Sequence, residues 1–183
     1  GNTFFGVSLF RREGKDMIDW VQYAADSIYA ENITEINMNG VSVQYGIHHF
    51  ENFDWLNTVS VSYNFLVNDN LTADYPSLYV LDYLTHKFGL NVNHGFGVEG
   101  LSMDWRFTVQ DRNGEYYNAL EGNNTPYGVV ALLDAKLNYK IDRFDFFVEA
   151  SNILNQDYVD RGNVFQPGIW VRGGFAVKLE KKE

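Results

Sequence analysis

The chain has no cysteine among its 183 residues, which excludes disulfides, thiolate metal sites and cysteine nucleophiles. Proline is almost as scarce, with 3 residues, so long regular segments meet few breaks. Basic residues are outnumbered: 14 Lys and Arg against 24 Asp and Glu leave a net charge of −10. Binding to nucleic acid needs a basic patch that displaces counterions, so nucleic acid is excluded as a partner. Long apolar runs are missing too. The longest are four or five residues, such as Val129 to Leu133, whereas a membrane-spanning helix needs about 20. If the chain crosses a bilayer, it crosses as strands. Its start shows no basic segment followed by an apolar core, so these residues carry no signal peptide.

What is abundant is aromatic and β-branched. Hydrophobic residues make up 45% and aromatics 16%, including 12 Tyr and 14 Phe, the composition of a β-rich chain. Period-two alternation predicts eight strands, near Thr3 to Arg12, Ile33 to Phe50, Trp55 to Asn68, Tyr79 to His94, Gly100 to Arg112, Gly128 to Ile141, Phe144 to Leu154 and Gly168 to Lys181. Most reach or exceed the roughly 9–11 residues that a tilted membrane strand needs. Leu101, Met103, Trp105, Phe107 and Val109 share one face of the fifth, opposite Ser102, Asp104, Arg106, Thr108 and Gln110. In the second, Ile36 and Met38 fall out of phase with Val41 and Val43, which predicts a bulge near Asn39-Gly40.

Connection lengths carry more weight than alternation, which a soluble sandwich also shows. Glu51 to Asp54, Gly95 to Glu99 and Asp142-Arg143 are tight links, while Glu13 to Asn32, Asp69 to Leu78, Asn113 to Tyr127 and Asn155 to Pro167 are long. Strict short–long alternation is the habit of bacterial outer-membrane barrels. Polar faces bearing Asp104 with Arg106, and Asp134 with Lys136 and Lys140, fit a wet lumen better than a dry core. Aromatics near strand ends, among them Trp20, Trp55, Tyr79, Tyr83, Tyr116, Tyr117, Phe144, Tyr158 and Trp170, suit interfacial girdles. Ile18, Val21, Ala25 and Ile28 recur at near-helical spacing and predict a short helix within Lys15 to Asn32.

No catalytic constellation emerges. His48, His49, His86 and His94 lack metal-ligand spacing, and Gly95 to Gly100 precedes no helix, so it is a turn and not a phosphate cradle. The reading is therefore a non-enzyme with no metal and no cofactor.

Asn152-Ile-Leu-Asn-Gln-Asp-Tyr-Val-Asp160, followed by Gln166-Pro-Gly-Ile-Trp-Val-Arg-Gly-Gly-Phe-Ala-Val-Lys-Leu179, resembles the closing two strands of TonB-dependent outer-membrane receptors. Ile169 stands where that family usually has Arg. Ser8 to Arg12 leading into Met17-Ile-Asp-Trp20, Asn37 to Gln44, Leu81 to Phe88 and Asp111 to Tyr116 are similar to it in order, so the resemblance spans essentially the whole chain.

The resemblance implies an all-β, antiparallel up-and-down meander of about eight strands, the C-terminal portion of a 22-stranded transmembrane barrel. Residues 1–183 would form a single barrel segment without the plug domain. The parent would sit in the bacterial outer membrane, contact its lipid, and take up a scarce small nutrient such as a ferric siderophore, cobalamin or a glycan, with energy from the TonB complex. An isolated segment is expected to curl into a small closed or nearly closed barrel, first strand near last. Two rivals are a complete eight-stranded outer-membrane barrel with a structural or adhesive role, and a soluble β-sandwich binding module. Candidate ligand contacts are the loop aromatics Trp20, Tyr23, Tyr29, Tyr75, Tyr116, Tyr117 and Tyr127, because rigid rings give contact area at low entropy cost.

Overall fold

A computed structural model describes residues 2–24, 27–69, 83–118, 121–160 and 164–179, with backbone alone at 22–24 and 33–35. Eight strands form one antiparallel sheet in simple sequence order: β1 (Asn2–Ala24), β2 (Ser27–His48), β3 (Leu56–Asn68), β4 (Leu84–Gly95), β5 (Leu101–Arg112), β8 (Val130–Ile141), β9 (Phe144–Ser151) and β12 (Trp170–Val177). Two small hairpins sit in the long connections, β6 (Glu115–Asn118) with β7 (Asn123–Pro126), and β10 (Val159–Asp160) with β11 (Val164–Phe165). The segment from Asp69 to Leu78 and the strand start at Tyr79 lie, past Asp69, outside the described residues.

The register sorts side chains by chemistry. Phe5, Tyr45, Val61, Leu90, Phe107 and Leu133 stand in one cross-strand row, and Val7, Val43, Tyr63, Phe88, Val109 and Ala131 in the next. These rows tile one continuous apolar face, exposed at both margins, where Phe5 is 70% and Phe175 67% accessible. The opposite face carries the row Thr58, Asn93, Asp104, Lys136, Glu149 and Arg172. A one-residue slip would exchange the two faces wholesale, so the pattern fixes the register.

Three expectations are corrected. The helix within Lys15 to Asn32 is instead the distal part of the β1–β2 hairpin, paired through Ile18↔Asn32, Trp20↔Ala30 and Val21↔Tyr29. Ile, Val, Trp and Tyr favour a pleated surface, and Asp19 and Val21, two apart, are both buried. No bulge occurs at Asn39-Gly40, where the register runs unbroken to both neighbouring strands. Gly40 seats the ring of Phe10, since a Cβ there would lie 2.2 Å from it, and Gly46 seats Phe4 in the same way. Ile36 and Met38 are out of phase because they lie where β2 outgrows its β3 partner, whose ladder ends at Met38↔Asn68. Finally, the sheet does not close: β1 and β12 are its two ends and do not pair with each other. Closure of an eight-stranded sheet needs a matching stagger of first and last strands, and here β1 is 23 residues long against 8 in β12.

Tight turns gather at one end. There Gly100 (φ +77°) packs its backbone on Lys140, so a Cβ would meet the Lys140 carbonyl oxygen at 2.0 Å, while Gly97 (φ +73°) faces open space. Gly97→Ala is expected to cost about 1 kcal/mol for the left-handed backbone alone. Gly100→Ala adds a backbone clash and is expected to cost at least about 3 kcal/mol in a denaturant titration.

Aromatics ring the same end: Trp55 stacks edge-on to Phe53 and His94, and Phe146 lies 6.2 Å from Phe175. Trp105 Nε1 donates to His94 Nε2 at 3.2 Å, and His94 Nδ1 lies 3.1 Å from the Gly95 carbonyl. An indole can only donate and a carbonyl only accept, so these two contacts suit a His94 ring that donates from Nδ1 and accepts at Nε2. Tyr83 is no girdle residue; it is buried, and its hydroxyl accepts from the Asn68 amide.

Candidate functional site

At the long-loop end, two hairpins converge on the tips of β5 and β8. Tyr116 of β6 lies 5.5 Å from Tyr127, ring to ring, and 6.5 Å edge-on from Phe165 of β11. The Arg112 guanidinium sits 5.8 Å over the Tyr127 ring and pairs with Asp160 of β10. Its side chain is only 9% exposed while that of Asp160 is 41% exposed, so the ion pair ties the tip of β5 to the β10–β11 hairpin with its cation buried and its carboxylate partly in solvent. The cavity between them, about 140 Å³, is lined by Gln110, Tyr116, Tyr127, Gln156, Asp157 and Tyr158 among others. Burial pushes the Tyr158 phenol pKa up, and the negative charges of Asp160 and Asp134 add to the shift.

Asn152 and Asn155 shape this end of the sheet. Asn152, at φ 50°, ends β9. Its side chain donates to the carbonyls of Gln156 (2.9 Å) and Pro167 (3.2 Å) and accepts from the Gln156 amide (3.0 Å). Its own amide donates to Asp134 on the polar face of β8 at 2.9 Å. Asn155 Oδ1 accepts from the Ile169 amide at 2.9 Å, and a Cβ on Gly168 would press to 2.5 Å from that oxygen. The two asparagines thus clamp both ends of the loop that carries β10 and β11.

The candidate aromatics fare unequally. Tyr116 and Tyr127 meet in the cavity. Tyr117 follows Tyr116 along β6 and therefore points to the opposite face, beside Asn124. Trp20 and Tyr29 sit on opposite faces of the β1–β2 arm, each about half exposed. The Tyr23 side chain and all of Tyr75 lie outside the described residues. Phe165, Tyr158 and the Arg112–Asp160 pair were missed. Arg112 and Asp160 each fall inside a recognisable motif, but 48 residues separate them, and only the fold brings them together.

A second polar feature lies on the concave face. Thr58, Asn91, Asn93, Asp104, Arg106, Asp134, Lys136 and Glu149 line a hollow of about 660 Å³. Arg172 grips Glu149 through two hydrogen bonds, and Asp104 accepts from Asn93 and Asn138. Such a density of charge requires water or a polar partner. Among the described residues no group of three or more His, Asp or Glu is placed to hold a metal ion.

No protein-family model and no curated protein matches the chain. Among solved structures, the FrpB iron transporter from Neisseria meningitidis (F3-3 variant) superposes over 96% of the chain at a TM-score of 0.65 and 15% identity. The chain spans 29% of that protein's length. At that identity the likeness establishes the fold alone, and the fold is an antiparallel all-β meander like that of an outer-membrane barrel protein.

Proposed function

We propose that the chain is the C-terminal part of the barrel of a TonB-dependent outer-membrane transporter, one that captures a scarce nutrient at its long loops. The observation that carries this reading is the two-sided sheet: an apolar face with no layer over it among the described residues, backed by a charged and polar face. In a β-sandwich the apolar face would be covered by a second sheet, yet Phe5, Leu9 and Phe175 are two-thirds or more accessible. The open edges of β1 and β12 favour a segment of a larger barrel over a complete eight-stranded one. Further strands, a plug domain and the TonB complex belong to the parent in this reading. The resemblance of the Asn152 to Leu179 segment to the family's closing strands supports it as well.

The absence of cysteine makes the test clean, since each introduced cysteine is a unique labelling site. Nitroxides at Val59, Val61 and Tyr63 of the protein in lipid vesicles are expected to collide preferentially with oxygen, and those at Ser60, Ser62 and Asn64 with a water-soluble nickel chelate. A flat profile along β3 would overturn the membrane assignment. The transport role is tested by deleting the gene. Growth on one limiting nutrient, iron chelate, cobalamin or glycan, is expected to fail and to return on complementation.

A further inference from the structure

We propose that the cavity between the two long-loop hairpins takes one ring of an uncharged, polyhydroxylated ligand, a neutral oligosaccharide, and not an anionic metal chelate. The inference rests on the transporter reading and narrows its ligand. An anionic chelate needs a cation free to meet it. Among the described residues the cation at this cavity is Arg112, which is largely buried, lies over the Tyr127 ring and pairs with Asp160. Asp157 also lines the cavity, so the charge that the described residues fix there is negative once the ion pair is counted, and the chain as a whole carries −10. An approaching anion would be repelled, or would have to take the buried Arg112 from its half-buried partner Asp160.

The remaining chemistry suits a sugar. A pyranose ring has an apolar face of C–H bonds and a rim of hydroxyls that both donate and accept. Tyr116 and Tyr127 supply aromatic surface in the cavity wall, and Phe165, 65% exposed, stands edge-on beside Tyr116 at 6.5 Å and extends it. Gln110, Gln156, Asp157 and the Tyr158 hydroxyl supply a rim of donors and acceptors without net positive charge. The cavity, about 140 Å³, has room for a single ring, the rest of the chain running out into solvent.

The test uses the intact protein in detergent, titrated by calorimetry against a panel of neutral oligosaccharides (α- and β-linked glucans, xylan, mannan and galactan hexamers) and against ferric citrate as the anionic probe. Binding of at least one neutral hexamer is expected, changed less than twofold between 50 and 500 mM salt. It is expected to fall at least tenfold in Tyr116→Ala and in Phe165→Ala, with Tyr117→Ala, on the opposite face of β6, unaffected. Ferric citrate bound in preference to every sugar, or no neutral sugar bound at all, would overturn the proposal. Surface exposure of an epitope tag on living cells confirms that each variant is assembled. Spin-label accessibility along β3 judges the membrane reading separately, so the two can fail independently.

Discussion

Replacing Asn152 by alanine is expected to unfasten the loop that carries β10 and β11 while leaving the eight-stranded sheet in place. The substitution removes three hydrogen bonds, two to carbonyls and one from an amide, in a site where Asn152 is only 6% exposed. Each is worth about 1 kcal/mol net, and the orphaned buried groups cost more. Alanine also tolerates the φ of 50° less well than asparagine. The sum is about 3–4 kcal/mol of local stability. Hydrogen exchange of amides 153–160 and 164–169 is expected to accelerate by roughly two to three orders of magnitude, with β3 and β4 unchanged. Asn152→Asp, which keeps the acceptor but loses both donated bonds, is expected to fall between. Unaltered exchange in the alanine variant would show that the clamp contributes nothing.

A lysine on the apolar face is expected to cost far more than the same lysine one position away. Val61 and Ser62 are neighbours on β3, but Val61 stands in the row with Tyr45 and Leu90, and Ser62 in the row with Gln44 and Gly89. In a bilayer, a lysine near the midplane of the lipid face costs about 2–4 kcal/mol, whereas a lumen position is hydrated. Val61→Lys is therefore expected to lose about 3 kcal/mol of folding free energy in vesicles, and Ser62→Lys less than about 1 kcal/mol. Denaturant titration of both variants in the same lipid measures the difference. Equal losses would mean that the two faces see similar surroundings, and the barrel reading would fall.

Much of the architecture was legible in the chain because a strand has a period of two and this sheet carries opposite chemistry on its two sides. Each of the eight expected strands overlaps a strand of the sheet: the third, fifth, sixth, seventh and eighth agree to within a few residues, the first and second run on into a hairpin arm where a long connection was expected, and the fourth agrees from Leu84 onward. The tight turns at Glu51 to Asp54, Gly95 to Glu99 and Asp142-Arg143 fall where their short links required. The errors came where local pattern is ambiguous. Ile18, Val21, Ala25 and Ile28 fit a helical spacing, but cross-strand pairing to Tyr29, Ala30 and Asn32 is a non-local gain that spacing cannot register. A bulge was expected near Asn39-Gly40 from the phase of Ile36 and Met38, but the register runs on unbroken, and the open side of Gly40 is filled by the ring of Phe10, 30 residues earlier.

Composition and alternation by themselves determined an all-β chain with one apolar and one polar face and no disulfides. Those properties follow from which residues are present and from their spacing along a strand. Only the tertiary structure decided that the sheet stays open, that Asn152 and Asn155 clamp the last loop, and that Arg112, Tyr116 and Tyr127 line one cavity with Asp160 and Phe165 against them. These depend on contacts between distant segments, and an ion pair spanning 48 residues leaves no periodic trace in sequence.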